Sequence, residues 1–164
     1  MNLRSLSLLA AVLLVAACAE DQTNKSGAAG TGSGSGSAPA VAAGAKPGTE
    51  QDLVQNVGDR VFFDYDKSDV KAEGRQVLQR QADWLKKYSN VTVTVEGHCD
   101  ERGTREYNLA LGERRANAVK KMLVALGVAA NRVSTISYGK ERPAVPGSTE
   151  AAWAQNRRGV TVVN

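Results

Sequence analysis

The chain is poor in the residues from which most catalytic and metal centres are built. One histidine, His98, and two cysteines, Cys18 and Cys99, are all the imidazole and thiol in 164 residues. No second imidazole exists to serve as a base for a Cys–His or Ser–His nucleophile. Two cysteines in different settings do not make the disulfide framework of a small secreted scaffold. Aromatic residues are only 5% of the chain, so Val, Leu, Ile and Ala must supply the core. The net charge of +4 comes from mixed signs, with no run of five like charges. That pattern excludes a nucleic-acid-binding tail. The longest apolar stretch, 6–15, is too short to span a bilayer, which takes roughly 20 residues.

What is present divides the chain in three. Arg4 opens a positive start, 6–15 is nearly unbroken apolar sequence, and Ala16 and Ala17 follow, so 1–17 reads as a secretory signal. Val15-Ala16-Ala17-Cys18 resembles the bacterial lipobox, in which the cysteine is acylated and becomes the mature N-terminus. Acyl chains bind a membrane at about 0.8 kcal/mol per buried methylene, so Cys18 is the expected lipid anchor. Ala19 rather than Asp follows it, which by resemblance to sorting in diderm bacteria implies the outer membrane. Residues 18–50 read as that anchor plus a linker, because 27–44 is almost wholly Gly, Ser, Ala and Thr. Such a stretch has too little apolar bulk to offset its ordering entropy. Its reach when taut is about 110 Å.

Residues 51–164 carry the periodic signals of one domain. A lead-in turn or helix is expected at 52–57, then a strand at 61–63. A helix capped by Ser68 or Asp69 should run to about Tyr88, with Val70, Val77, Leu78, Leu85 and Tyr88 on one side. Strict alternation marks 91–95 as a half-buried strand. A second helix is expected from Arg105 to Leu126, stopped by Gly127. A strand at 133–138, a short helix at 151–156 capped by Ser148 or Thr149, and a strand at 159–163 complete the order. The reading is an α/β sandwich, β-α-β-α-β-(α)-β, with helices over one sheet face.

One residue on the second helix is out of place. Leu111, Val119, Met122 and Leu126 form its apolar stripe, and Arg115 sits inside that stripe with Asn108 two turns earlier. A buried unpaired charge costs several kcal/mol, so an anion should meet it. Asp100, just after the second predicted strand, is the expected internal partner. Two roles fit the pair: a salt bridge joining helix to strand, or a mouth that receives a zwitterion, with Arg115 on its carboxylate and Asp100 on its ammonium. Spacing alone does not choose between them. The amides around Asp66–Val70, at the expected helix start, suit an anion as well as self-capping. His98-Cys99-Asp100 is a poor nucleophile or metal set, since neighbours on a strand face opposite ways. Neither a cofactor nor a metal is expected.

The run from Val95 to Ala116, holding Gly97-His98-Cys99-Asp100-Glu101-Arg102-Gly103-Thr104 and Gly112-Glu113-Arg114-Arg115-Ala116, closely resembles the signature of OmpA-like peptidoglycan-binding domains. Phe63-Asp64-Tyr65-Asp66-Lys67, the stretch from Ser137 to Pro143, and Asn156-Arg157-Arg158 match in the same order. The resemblance covers roughly 58–164 and implies a mixed sheet. It also implies a non-catalytic site for the meso-diaminopimelate of the wall's stem peptide, with Asp100 on the amino-acid end and Arg115 on carboxylate. Tyr65 and Asp66 would complete that pocket, and Asn108 and Leu111 would brace or line it. Cys99 departs from the Thr or Ala usual there. Arg158 is a candidate to add positive potential, or else a surface charge. With the lipobox, the resemblance implies an outer-membrane tether working with TolB and other Tol proteins in envelope integrity and cell division. The rivals are a domain that mainly docks TolB and a wall-remodelling enzyme. On this reading, Arg115→Ala abolishes wall binding at little cost to stability.

Overall fold

The computed structural model describes residues 44–164, so the expected signal, the lipidated Cys18 and most of the linker lie outside the described residues. The chain enters through a short helix α1 (Glu50–Asp52) that widens into one π-helical stretch, Leu53–Val57. Then come β1 (Arg60–Phe62), α2 (Ala72–Lys87), β2 (Val93–His98), α3 (Arg105–Ala125), β3 (Val133–Gly139), α4 (Glu150–Asn156) and β4 (Arg158–Val163). The four strands form one mixed sheet in the order β1-β4-β2-β3, with β2 and β3 parallel and both other pairs antiparallel. The right element order and the one-sided helical cover were both expected from the sequence.

Packing follows the period of each element. On α2, Leu78, Ala82 and Leu85 fall on one face and are fully buried against Val61, Val93 and Val95 of the sheet. From α3, Ala116, Val119 and Leu123 join the same core. Burying a Leu or Val of this kind stabilises by about 1.5–3 kcal/mol. The lead-in helix is tied down by the Trp84 indole, which donates to Asp52 Oδ2 at 2.8 Å. Gln81 is buried yet satisfied: it donates to the Gly58 carbonyl and accepts from Thr161.

Two details differ from the sequence expectation. β2 runs on to His98, three residues beyond the alternating stretch, because β4 pairs with it as far as Gly97. Gly97 is required there, since a Cβ would stand 1.8 Å from the Gly112 carbonyl oxygen. The two glycines let α3 lie directly on the strand. The second difference is at α2, which starts at Ala72 after an extended Lys71, with no side-chain cap. Ser68 and Asp69 do not cap it, and 66–70 is a loop rather than a helix start. As shown below, a side chain from α3 takes the carbonyls of that loop.

Candidate functional site

Loop 63–71, the turn after β2 and the first three turns of α3 converge on a cavity of about 170 Å³. Thr104 starts α3 by accepting from the Tyr107 amide, which fixes the direction in which the helix leaves the turn. Asn108 then braces the turn from inside. Fully buried, its amide donates to the carbonyls of Arg102 and Thr104 at 2.8 and 3.0 Å. The close seat of Gly112 on β2 brings the next turn of the helix, and Arg115 with it, down beside the strand end.

Arg115 is 0% exposed, and among the described residues no carboxylate pairs with it. Its guanidinium donates to three main-chain carbonyls instead: Lys67 at 2.9 Å, His98 at 2.8 Å and Asp64 at 3.1 Å. The Phe63 ring lies 5.2 Å from its centre. A guanidinium has five N–H groups, so two remain after these bonds. Burial presses its pKa below the usual value, and the nearby Cys99 and Asp100 offset only part of that.

The expected direct pair between Arg115 and Asp100 is not made. Asp100 is buried too, but its carboxylate belongs to Arg102 and Arg157. Oδ1 accepts from the Arg102 amide and Nε at 3.1 and 3.2 Å, and Oδ2 from Arg102 Nη2 at 2.6 Å and Arg157 Nη1 at 3.3 Å. Burial alone raises its pKa, yet the Arg102 bonds outweigh that and hold it below the ordinary carboxylate value. Arg157 is locked in turn by the Phe63 carbonyl and Glu150.

The six residues singled out from the sequence, Tyr65, Asp66, Asp100, Asn108, Leu111 and Arg115, all line this one cavity. Tyr65 and Tyr107 stand at its rim, 59% and 45% exposed. Asp66 has φ 57°, the one non-glycine residue in left-handed backbone among those described. Its carboxylate accepts from the Tyr107 hydroxyl, a bond that raises the Tyr107 pKa. Cys99 lies under the cavity as a free buried thiol, donating to the Asn108 carbonyl, and burial pushes its pKa up. His98 points elsewhere, toward Glu96 and the Tyr138 ring. Thiol and imidazole therefore do not cooperate, and among the described residues no His, Cys, Asp or Glu cluster is built for a metal.

The family model described as the OmpA family matches residues 62–157, which contain every residue of this cavity. The chain belongs to the OmpA family. Relatives share about half of its residues over most of the chain. The peptidoglycan-associated lipoprotein of Agrobacterium fabrum is 57% identical over 122 residues, covering 74% of this chain and 69% of that protein. The one from Rhizobium meliloti is 50% identical over 155 residues, 94% of this chain and 84% of that protein. The crystal structure of the peptidoglycan-associated lipoprotein from Burkholderia pseudomallei superposes with a TM-score of 0.65 at 40% identity, covering 69% of this chain and all of that one.

Within this OmpA-family site, three expectations need correction. Arg158 does not face the cleft: it pairs with Phe62 in the sheet and is buried on the opposite face, donating to the Asn156 and Arg142 carbonyls. Its neighbour Arg157 is the one that reaches Asp100. The loop 66–70 offers no helix start, as noted. Finally, Arg115→Ala should cost stability, because it would strip three main-chain carbonyls of their donor. Arg102, Gly103, Tyr107 and Arg157 were missed as site residues. For Arg102 the signal was available, since it stands two residues from Asp100 in a turn.

Proposed function

We propose that this domain binds peptidoglycan without catalysis by holding the free amino-acid end of meso-diaminopimelate in the stem peptide. The observation that carries the reading is Arg115: a fully buried guanidinium, cradled by neutral carbonyls, with two N–H groups left beside a cavity. A ligand carboxylate meets that need through two parallel hydrogen bonds. Asp66 and Asp100 supply negative charge for the ligand's ammonium, and Leu111 gives an apolar wall for its methylenes. The relatives are named peptidoglycan-associated lipoproteins, which supports peptidoglycan as the partner.

In the chain as a whole, acylated Cys18 holds one end in the outer membrane and the linker spans to the wall. The domain makes a reversible link there that is remade as the wall grows, in concert with TolB and other Tol proteins during envelope constriction. Co-sedimentation with purified sacculi tests the core of this. The wild type pellets with sacculi and Arg115→Lys, which keeps the charge but not the fork, does so far less. Equal pelleting of the two proteins would overturn the reading. TolB added to the mixture shows whether the two partners share a surface, and a zymogram checks for cleavage.

A further inference from the structure

Asp100 raises a difficulty for any cationic ligand: its acceptor sites are already filled. A carboxylate offers about four lone-pair positions, and four N–H groups occupy them here. Arg157, held at the Phe63 carbonyl and Glu150, is not free to leave. Arg102 is different. Its side chain is 29% exposed, and its guanidinium lies between two aromatic rings, 4.1 Å from the Tyr65 centroid and 4.0 Å from that of Trp153. A second carboxylate waits beside it, with Glu150 Oε2 at 3.9 Å from Nη1.

Resting on the diaminopimelate reading, we infer that Arg102 is a displaceable counter-ion that competes with the ligand's ammonium for Asp100 and so sets the site's selectivity for zwitterions. In the free protein its guanidinium stands where the ammonium must go. When the ligand enters, the ammonium takes over the acceptors on Asp100 and Arg102 turns within the aromatic slot toward Glu150. One cation replaces another on Asp100, so the buried carboxylate is never left bare. The slot makes this exchange possible, since the stacked rings keep the guanidinium partnered throughout the move. A ligand with a carboxylate but no ammonium engages Arg115 and leaves Arg102 in place.

The exchange gives Trp153 and Arg102 roles that simple bracing would not. Trp153 is one of two tryptophans and touches the Arg102 guanidinium, whereas the other, Trp84, donates to Asp52 at the lead-in helix. The test titrates the full chain with the stem tripeptide ending in meso-diaminopimelate, and with the same peptide acetylated on its free amine. Wild type should show a saturable change in tryptophan emission with the first peptide, lost in Trp153→Phe and lost with the acetylated peptide. Arg102→Met, which keeps the stem's bulk but removes the competing cation, should bind the free-amine peptide about tenfold more tightly, the worth of one recovered charge-assisted bond. Its affinity for the acetylated peptide should not change. A thermal melt checks that the variant folds. If wild type binds and Arg102→Met binds equally or more weakly, Arg102 merely positions Asp100 and the inference falls. If no protein binds either peptide, the diaminopimelate reading falls and takes this inference with it.

Discussion

Arg115 and Arg132 are held in the same manner, each by three main-chain carbonyls, yet only one of them makes a site. Arg132 ends a short 3-10 turn (Ala130–Arg132) and fastens the end of α2 to the start of β2 through the carbonyls of Leu85, Tyr88 and Val91, at 2.6–2.9 Å. It is half-buried, so solvent meets the charge that the carbonyls leave. Arg115 fastens loop 63–71 to the end of β2 in the same way but is wholly buried, and a cavity takes the place of bulk solvent. Carbonyl dipoles can place a guanidinium without neutralising it. What distinguishes a tie from a binding group is whether the remaining N–H groups look at water or at a closed, shaped space.

Breaking each cradle should separate the two roles. Arg115→Ala is expected to cost about 3 kcal/mol or more in a urea melt, since it unpairs three carbonyls and leaves a void. It should also abolish binding of the diaminopimelate tripeptide. Arg132→Ala should cost about 2 kcal/mol and leave the tripeptide affinity unchanged, as measured by calorimetry. If Arg132→Ala lost binding as well, the two cradles would not be independent and the comparison would fail.

Acid should lower the stability of the domain through His98. The His98 carbonyl is one of the three acceptors of Arg115, and the His98 side chain is buried against Glu96 and Tyr138, near Arg142 and Arg158. Burial, helped by those two arginines, pushes the imidazole pKa down to about 4 from 6.5. Above 6.5 it is neutral in both states and its contribution is full. Between 6.5 and about 4 the unfolded chain binds a proton that the folded one refuses, so stability falls with pH. A loss of about 2 kcal/mol between pH 7.5 and pH 4.5 is expected from urea midpoints, and His98→Gln should flatten that slope. The smallest effect belongs to the rim. Tyr107→Phe removes the hydroxyl bonded to Asp66 and should weaken tripeptide binding by at most about fivefold.

How far the sequence could go is clear from these same residues. Periodicity was enough for the sheet, the helices and the stripe on α3, because burial is what writes that pattern. It also exposed Arg115, since a charge among Leu111 and Val119 breaks the pattern visibly. Partners of Arg115 were not legible: main-chain carbonyls leave no trace in side-chain identity, so the acid Asp100 looked like the natural mate. The start of α2 was misplaced for the same reason, as the loop is held open by a guanidinium 48 residues away rather than by its own Ser68 or Asp69. Choosing between Arg157 and Arg158 required the alternation of β4, whose first residue could not be located from two adjacent arginines. The nearness of Arg102 to Asp100 was legible from their spacing, but its seat between Tyr65 and Trp153, drawn from distant segments, was not.

Isothermal titration of the full chain with two tripeptides examines the site most directly: one ending in meso-diaminopimelate with its free-end carboxylate intact, the other with that carboxylate amidated. A guanidinium left with two unused N–H groups should bind the first saturably at one per chain and bind the amide at least about a hundredfold more weakly. Equal affinity for both peptides would show that Arg115 serves only to tie its loop to β2.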